Sequence, residues 1–239
     1  MNPDVPIYGI YGGEHSDLED ASRALAPYLE EIWEIPVSSG VWKWKNGDLA
    51  IQLWFRSRGK DLEFDVVHTM DWDLLILAPM DEIFGDAGYK GVALTGVTPL
   101  DRVGDTWHWT SVEPAASEWE KLKEHIRTTK GWSGPYVACQ GPASVLSREF
   151  LEAYSAEEVP ELGNEEVRMA IYAQALGFGV TPLPHIYREI QDPEEMKFFN
   201  CECIPIKAKI IRSELKKANG RRVFHPYLKK FRRRKWWLF

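Results

Sequence analysis

Hydrophobic positions along the chain alternate between two spacings. Val5–Tyr11 is a short β-rich run ending in Gly12-Gly13, the pattern of a strand entering a loop. Ser16 or Asp17 can cap a helix reaching about Trp33, with Leu18, Leu25, Leu29 and Ile32 at helical spacing. Pro27 should kink or split it. Asp48 can cap a second helix carrying Leu49, Ile51, Leu53, Trp54 and Phe55. Phe64–Met70 reads as a strand, followed by Asp71-Trp72-Asp73 and the apolar run Leu74–Leu77. Gly91–Gly96 is another short strand, and Ser117–Thr129 is an amphipathic helix. Tyr136–Cys139 is a strand from which Gly141-Pro142 turns the chain toward a helix over Ser147–Tyr154. Asn164 caps a helix through Leu176, stopped by Gly177. Val180–Leu183 is a last strand and Ile206–Ala218 a basic helix.

Strands alternating with helices of about 10–15 residues predict a layered α/β fold, a sheet with helices on both faces. Ligands in such folds sit beyond the carboxyl ends of strands, which directs attention to Gly12-Gly13, Asp71–Asp73 and Gly141.

Composition narrows this picture. The 239 residues, 44% apolar, suffice for a real core, and no apolar run approaches a membrane span. The opening MNPDVPIYGIYGGEH lacks the pattern of a secretory leader, and three cysteines suit a reducing, cytoplasmic setting. The net charge of −7 conceals an asymmetry. Residues Ile206–Phe239 carry seven Lys, six Arg and one Glu, +12, which leaves −19 on the other 205 residues. The segment ends in FRRRKWWLF, cations mixed with aromatics. This suits an anionic membrane surface and a peripheral location, with folding back onto the acidic body as the alternative. A body of −19 disfavours nucleic acid.

Side chains two apart on a strand share a face, so Asp71 and Asp73 can aim two carboxylates at one point. Hard oxygen ligands suit Mg²⁺ or Mn²⁺, ions usually shared with substrate phosphates. A bare D-x-D is uninformative. This pair gains meaning from lying between a β-rich strand and a hydrophobic run, and the alternative is an acidic cap on a strand–loop junction.

The strand followed by D-W-D and L-L-I-L-x-P resembles the D-x-D region of GT-A glycosyltransferases that use nucleotide sugars. VPIYGIYGG, LAIQLWFRSRGK, GNEEVRMAIYAQALGF and RRVFHPY fall in the expected order around it, from Val5 to Tyr227. The resemblance implies a GT-A-like fold with a mixed, mostly parallel sheet, a catalytic domain over 1–205, and a basic segment over 206–239 that completes the site. It implies Asp73 as a direct metal ligand, Asp71 on the metal or the ribose, and His225 as a third ligand, with a surface histidine as the alternative for His225.

Other candidates follow. Glu165 and Glu166 open the helix capped by Asn164, where the macrodipole favours their anions. The resemblance places a catalytic base there, and ordinary helix-start chemistry is the alternative. Arg168 pairs with one of them or reaches a phosphate, and Lys229 meets a phosphate as a point charge. Gly12 and Gly13 allow close approach of a nucleotide, and Tyr8 can stack on a base. Trp107 and Trp109, near Asp101 and Asp105, read as an acceptor-sugar loop or as core tryptophans. No P-loop, dinucleotide fingerprint or nucleophile elbow is present, and Cys201-x-Cys203 lacks the partners of a zinc site. The expectation is a metal-dependent transfer of a sugar from a nucleotide-diphosphate donor to a glycan or lipid-linked acceptor. The alternatives are a non-catalytic carbohydrate- or membrane-binding protein and, below that, a HAD-like phosphatase.

Overall fold

The computed structural model describes residues 4–88, 90–186 and 192–229. In chain order the elements are β1 (Tyr8–Tyr11), α1 (Leu18–Leu25), β2 (Glu31–Glu34), α2 (Gly40–Lys45), α3 (Gly47–Ser57), β3 (Val66–Met70), β4 (Leu75–Ile76) and α4 (Met80–Phe84). Then come β5 (Gly91–Pro99), α5 (Leu100–Val103), α6 (His108–Ser111), α7 (Ala115–Lys130), β6 (Val137–Ser147), α8 (Arg148–Ser155), α9 (Glu165–Ala175), β7 (Gly179–Pro182), α10 (Ala208–Glu214) and β8 (Val223–Phe224). The protein is mixed α/β, with a mixed sheet flanked by helices. It divides into two compact units, one of residues 70–85 and 184–239, the other of 2–69 and 86–183.

The larger unit is built on a sheet of order β3-β6-β5-β7. β5 runs antiparallel to β6 and parallel to β7. Its longest pairing is therefore antiparallel, where a mostly parallel sheet was expected. Gly141-Pro142 also departs from expectation. These residues do not turn the chain into a helix. They form a bulge inside one long strand: Leu94 pairs with Ser144 and Thr95 with Gln140, so Gly141, Pro142 and Ala143 have no counterpart on β5. Proline has no N–H to lose there, and Thr95 Oγ1 donates to the stranded Ala143 carbonyl at 2.9 Å.

Two other expectations changed. The helix expected to reach Trp33 stops at Leu25, ahead of Pro27, and Glu31–Glu34 instead pairs in parallel with β1 as Tyr8↔Glu31 through Tyr11↔Glu34. Leu29 and Ile32 fit a helical stripe, but partner hydrogen bonds across β1 outweigh local periodicity. Trp107–Trp109 is not an open loop: Trp107 is buried, and the short helix α6 starts at His108.

Helix α9 packs on β6 with α3, α7 and α8 around it. It starts as expected, with Asn164 Oδ1 accepting from Glu166 N at 2.7 Å. Every residue from Val167 to Ala173 is buried, including Arg168. Arg168 Nη2 and Nε donate to the two Asp48 carboxylate oxygens at 2.5 and 2.8 Å, and Nη2 also donates to Asn46 Oδ1 at 2.8 Å. Tyr154 Oη donates to Asp48 Oδ2 at 2.7 Å. Burial disfavours the guanidinium charge, but Asp48 more than offsets it and holds the group protonated beyond the usual arginine range. Asp48 therefore lies in the first turn of α3 rather than capping it, with its carboxylate turned inward.

The smaller unit has its own apolar centre, Leu77, Ile206, Ile211 and Phe224, next to Phe199 and Val223. Strands β4 and β8 pair antiparallel, Leu75↔Phe224 and Ile76↔Val223. A bidentate buried pair, Arg221 to Glu195 at 2.5 and 2.7 Å, fixes the segment leading into β8. The basic helix is shorter than its sequence pattern, at Ala208–Glu214, and the tail from Lys230 to Phe239 lies outside the described residues. No helix among the described residues is long and apolar enough to cross a membrane.

Removing one partner of a buried ion pair leaves the other charge dehydrated and unmatched. Asp48→Ala is expected to destabilise the protein by about 3–5 kcal/mol, and the double replacement Asp48→Leu/Arg168→Met to recover much of that loss. Urea unfolding monitored by tryptophan fluorescence measures both.

Candidate functional site

The structure brings three of the sequence-predicted ligands together. Asp71, Asp73 and His225 each offer one ligand atom, and these atoms lie within 4.8 Å of one another. The carboxylates do not converge by strand alternation, as expected. β3 ends at Met70, and Leu74 N donates to Asp71 O at 3.0 Å, closing a tight turn that carries both aspartates. Antiparallel pairing of β4 with β8 then sets Asp73 beside the residues after Phe224. Tyr227 N donates to Asp73 O at 2.8 Å, and His225 Nε2 lies 3.2 Å from Asp73 Oδ1.

His225 is buried and held on both sides. Its N–H donates to Phe198 O at 3.1 Å, its carbonyl accepts from Asn200 N at 2.9 Å, and its Nδ1 lies 2.8 Å from Asn200 O. A carbonyl can only accept, so Nδ1 carries hydrogen and Nε2 is the ring atom that faces the aspartates. This is how a protein orients a histidine ligand from the side away from the metal. Loss of hydration pushes the Asp71 carboxyl above the ordinary range, with His225 opposing and Asp73 reinforcing the shift. Two carboxylates crowded together with one lone-pair nitrogen form a donor set that fits Mn²⁺ or Mg²⁺.

The larger unit holds a second constellation. The Glu166 carboxyl lies beside the backbone N–H of Gly141 and the side chains of Trp109 and Trp107, donors that each favour its anion. The Gly141 N–H is free for this because the bulge removes it from the sheet ladder. Burial pushes Glu166 up to about 7, against the downward pull of those three donors. Helix-start position alone argued for a stabilised anion; loss of hydration outweighs it. Glu165 lies alongside, its carboxylate against Gly141 and Gly47. A Cβ on Gly141 would come 2.5 Å from Glu165 Oε1, and one on Gly47 would overlap Oε2, so a side chain at either position would displace the Glu165 carboxylate.

The remaining candidates are placed as follows. Arg168 has no solvent exposure, and its guanidinium is committed to Asp48, Asn46 and the Leu162 carbonyl, which leaves no face for a phosphate. Tyr8 is half-buried, its ring centroid 6.2 Å from that of Trp54. Gly12 and Gly13 follow β1 at the surface, where Lys43 Nζ donates to Gly13 O at 2.9 Å. Lys229 is exposed in the smaller unit. Sequence reading overlooked Gly141 as a donor, Asn200 as the carbonyl orienting His225, and Asp48 as the partner of Arg168. Only the Gly-Pro pair inside a β-rich run signalled any of these.

No family model, curated protein or solved structure matches this chain.

Mn²⁺ titration monitored by the paramagnetic resonance of the free ion tests the metal centre. Asp73→Ala and His225→Ala are each expected to weaken binding by at least the roughly 10–100-fold that loss of an outer-shell partner costs. The Glu166 shift gives a second expectation. Between the unfolded carboxyl range and about 7 the native protein binds the extra proton, so stability falls as pH rises through that window. Glu166→Gln should remove that decline in urea midpoints measured from pH 4.5 to 8.

Proposed function

We propose that this protein is a metal-dependent glycosyltransferase that moves a sugar from a nucleotide-diphosphate donor to a hydroxyl acceptor on a glycan or glycolipid. The observation that carries the reading is the convergence of Asp71, Asp73 and His225, with Asn200 O holding Nδ1 so that Nε2 faces the aspartates. Those three side chains would hold Mn²⁺ or Mg²⁺, which when bound neutralises charge on a departing diphosphate.

Glu166 is the proposed general base. A group that titrates near neutrality is ionised often enough to be available and still basic enough to take a proton from an acceptor hydroxyl. The Trp107 and Trp109 side chains and the Gly141 N–H border the carboxyl, which supports a base directed at a single hydroxyl.

Donor turnover across a panel of nucleotide sugars, with Mn²⁺ and with chelator, tests this. Asp73→Ala is expected to abolish metal-dependent turnover, and unchanged turnover would rule out the assignment. Glu166→Gln should lower transfer by about 10²–10⁴-fold while leaving Mn²⁺ affinity intact. For the wild type, kcat/KM should rise with pH through about 7 and then level off.

A further inference from the structure

Trp44 is a large apolar ring with 68% of its surface in solvent, yet its position is fixed. Ser39 caps its helix, accepting from Trp42 N at 3.2 Å. Lys45, the next residue, pairs with Glu118, and its carbonyl accepts from Asn164 Nδ2 at 3.3 Å. Asn46 accepts from Arg168. The backbone on the C-terminal side of Trp44 is therefore pinned to the start of α9, the same turn that carries Glu165 and Glu166. The indole itself meets Trp109, with centroids 5.6 Å apart and planes tilted by 52°. The Trp109 side chain in turn lies beside the Glu166 carboxyl. Two rings at an angle and one carboxyl thus form a connected series, open to solvent at Trp44. Trp107 is buried and takes no part in that open face.

The geometry points to Trp44 and Trp109 as the walls of a saccharide-binding site whose polar end is Glu166, so that the acceptor is a neutral sugar ring. The inference rests on the reading of Glu166 as the group that meets the acceptor hydroxyl. A pyranose has C–H groups on its face, which suit the electron-rich face of an indole, and hydroxyl donors around its rim, which suit a carboxylate. A carboxylate at the same point repels a phosphate, so this end takes an uncharged polyol rather than the nucleotide. An anchored but exposed aromatic surface is also what low-entropy recognition requires, since the ring is ordered before the ligand arrives.

Saturation-transfer NMR on the full chain, without metal or donor, tests the proposal with a panel of trisaccharides: maltotriose, chitotriose, mannotriose and galactotriose. At least one is expected to bind, with ring C–H protons receiving the strongest transfer. Trp44→Ala should weaken that sugar by about tenfold, the scale of one lost aromatic contact, and Trp44→Phe should keep most of the affinity. Because Trp44 is exposed, the Ala variant should unfold at an unchanged urea midpoint, which separates lost contact from lost fold. Mn²⁺ affinity should be the same in all three proteins, so failure of the metal reading and failure of this one register in different assays. The proposal is overturned if no trisaccharide binds the wild type, or if Trp44→Ala binds as well as the wild type. It is also overturned if Trp44→Ala instead loses binding to phosphatidylglycerol vesicles with no sugar effect, which would make the ring an interfacial anchor.

Discussion

A guanidinium and a carboxylate with no solvent contact join the start of α9 to the start of α3. The Arg168–Asp48 pair draws in Asn46 and Tyr154, so one buried charge pair ties together three parts of the chain: residues 46–48, Tyr154 in α8 and Arg168 in α9. Its net contribution to stability is limited by the cost of dehydrating both charges, but its geometric demand is strict, because misplacing either partner strands a charge in a low-dielectric interior. Everything at the head of α9 inherits that placement. Asn164, Glu165 and Glu166 lie within one turn of Arg168, and Trp44 and Lys45 lie just ahead of Asn46. The candidate base and the exposed indole are therefore positioned by the same interaction.

The acidic groups show environment overriding position. Glu166 occupies a helix start beside three hydrogen-bond donors, all of which favour the anion, yet burial still moves it toward neutrality. Asp71, in an exposed turn, shifts in the same direction for a partly different reason, since a second carboxylate beside it adds to its loss of hydration. The two groups are suited to different tasks. One is buried among polar partners; the other shares charge with its neighbour, a crowding that a bound cation would relieve.

Much of the local structure was legible in the sequence. Asn164 as a cap, the α7 stripe of Trp119, Leu122 and Ile126, and the strand preceding Asp71 all follow from spacing and end signals acting over a few residues. The misreadings share one cause. Glu31–Glu34 became a strand because β1 offered a parallel edge, and Gly141-Pro142 became a bulge because β5 continued to pair on either side of it. Both outcomes depend on a partner distant in sequence, which no local window contains. Arg168 was misread for the same reason: its partner Asp48 lies 120 residues away.

The sequence by itself determined the candidates: two aspartates at a strand end, adjacent glutamates at a helix start, a late histidine, and tryptophans in pairs. These are matters of residue type and short spacing, which chemistry constrains directly. The tertiary structure alone decided which of them meet. The β4–β8 register brought His225 to Asp73, the bulge released the Gly141 N–H toward Glu166, and the Arg168–Asp48 pair turned a candidate phosphate ligand into a buried anchor. Function at a site requires atoms from distant segments within a few ångströms of one another, and only the closing of hydrogen-bonded registers and the burial of paired charges fixes such distances.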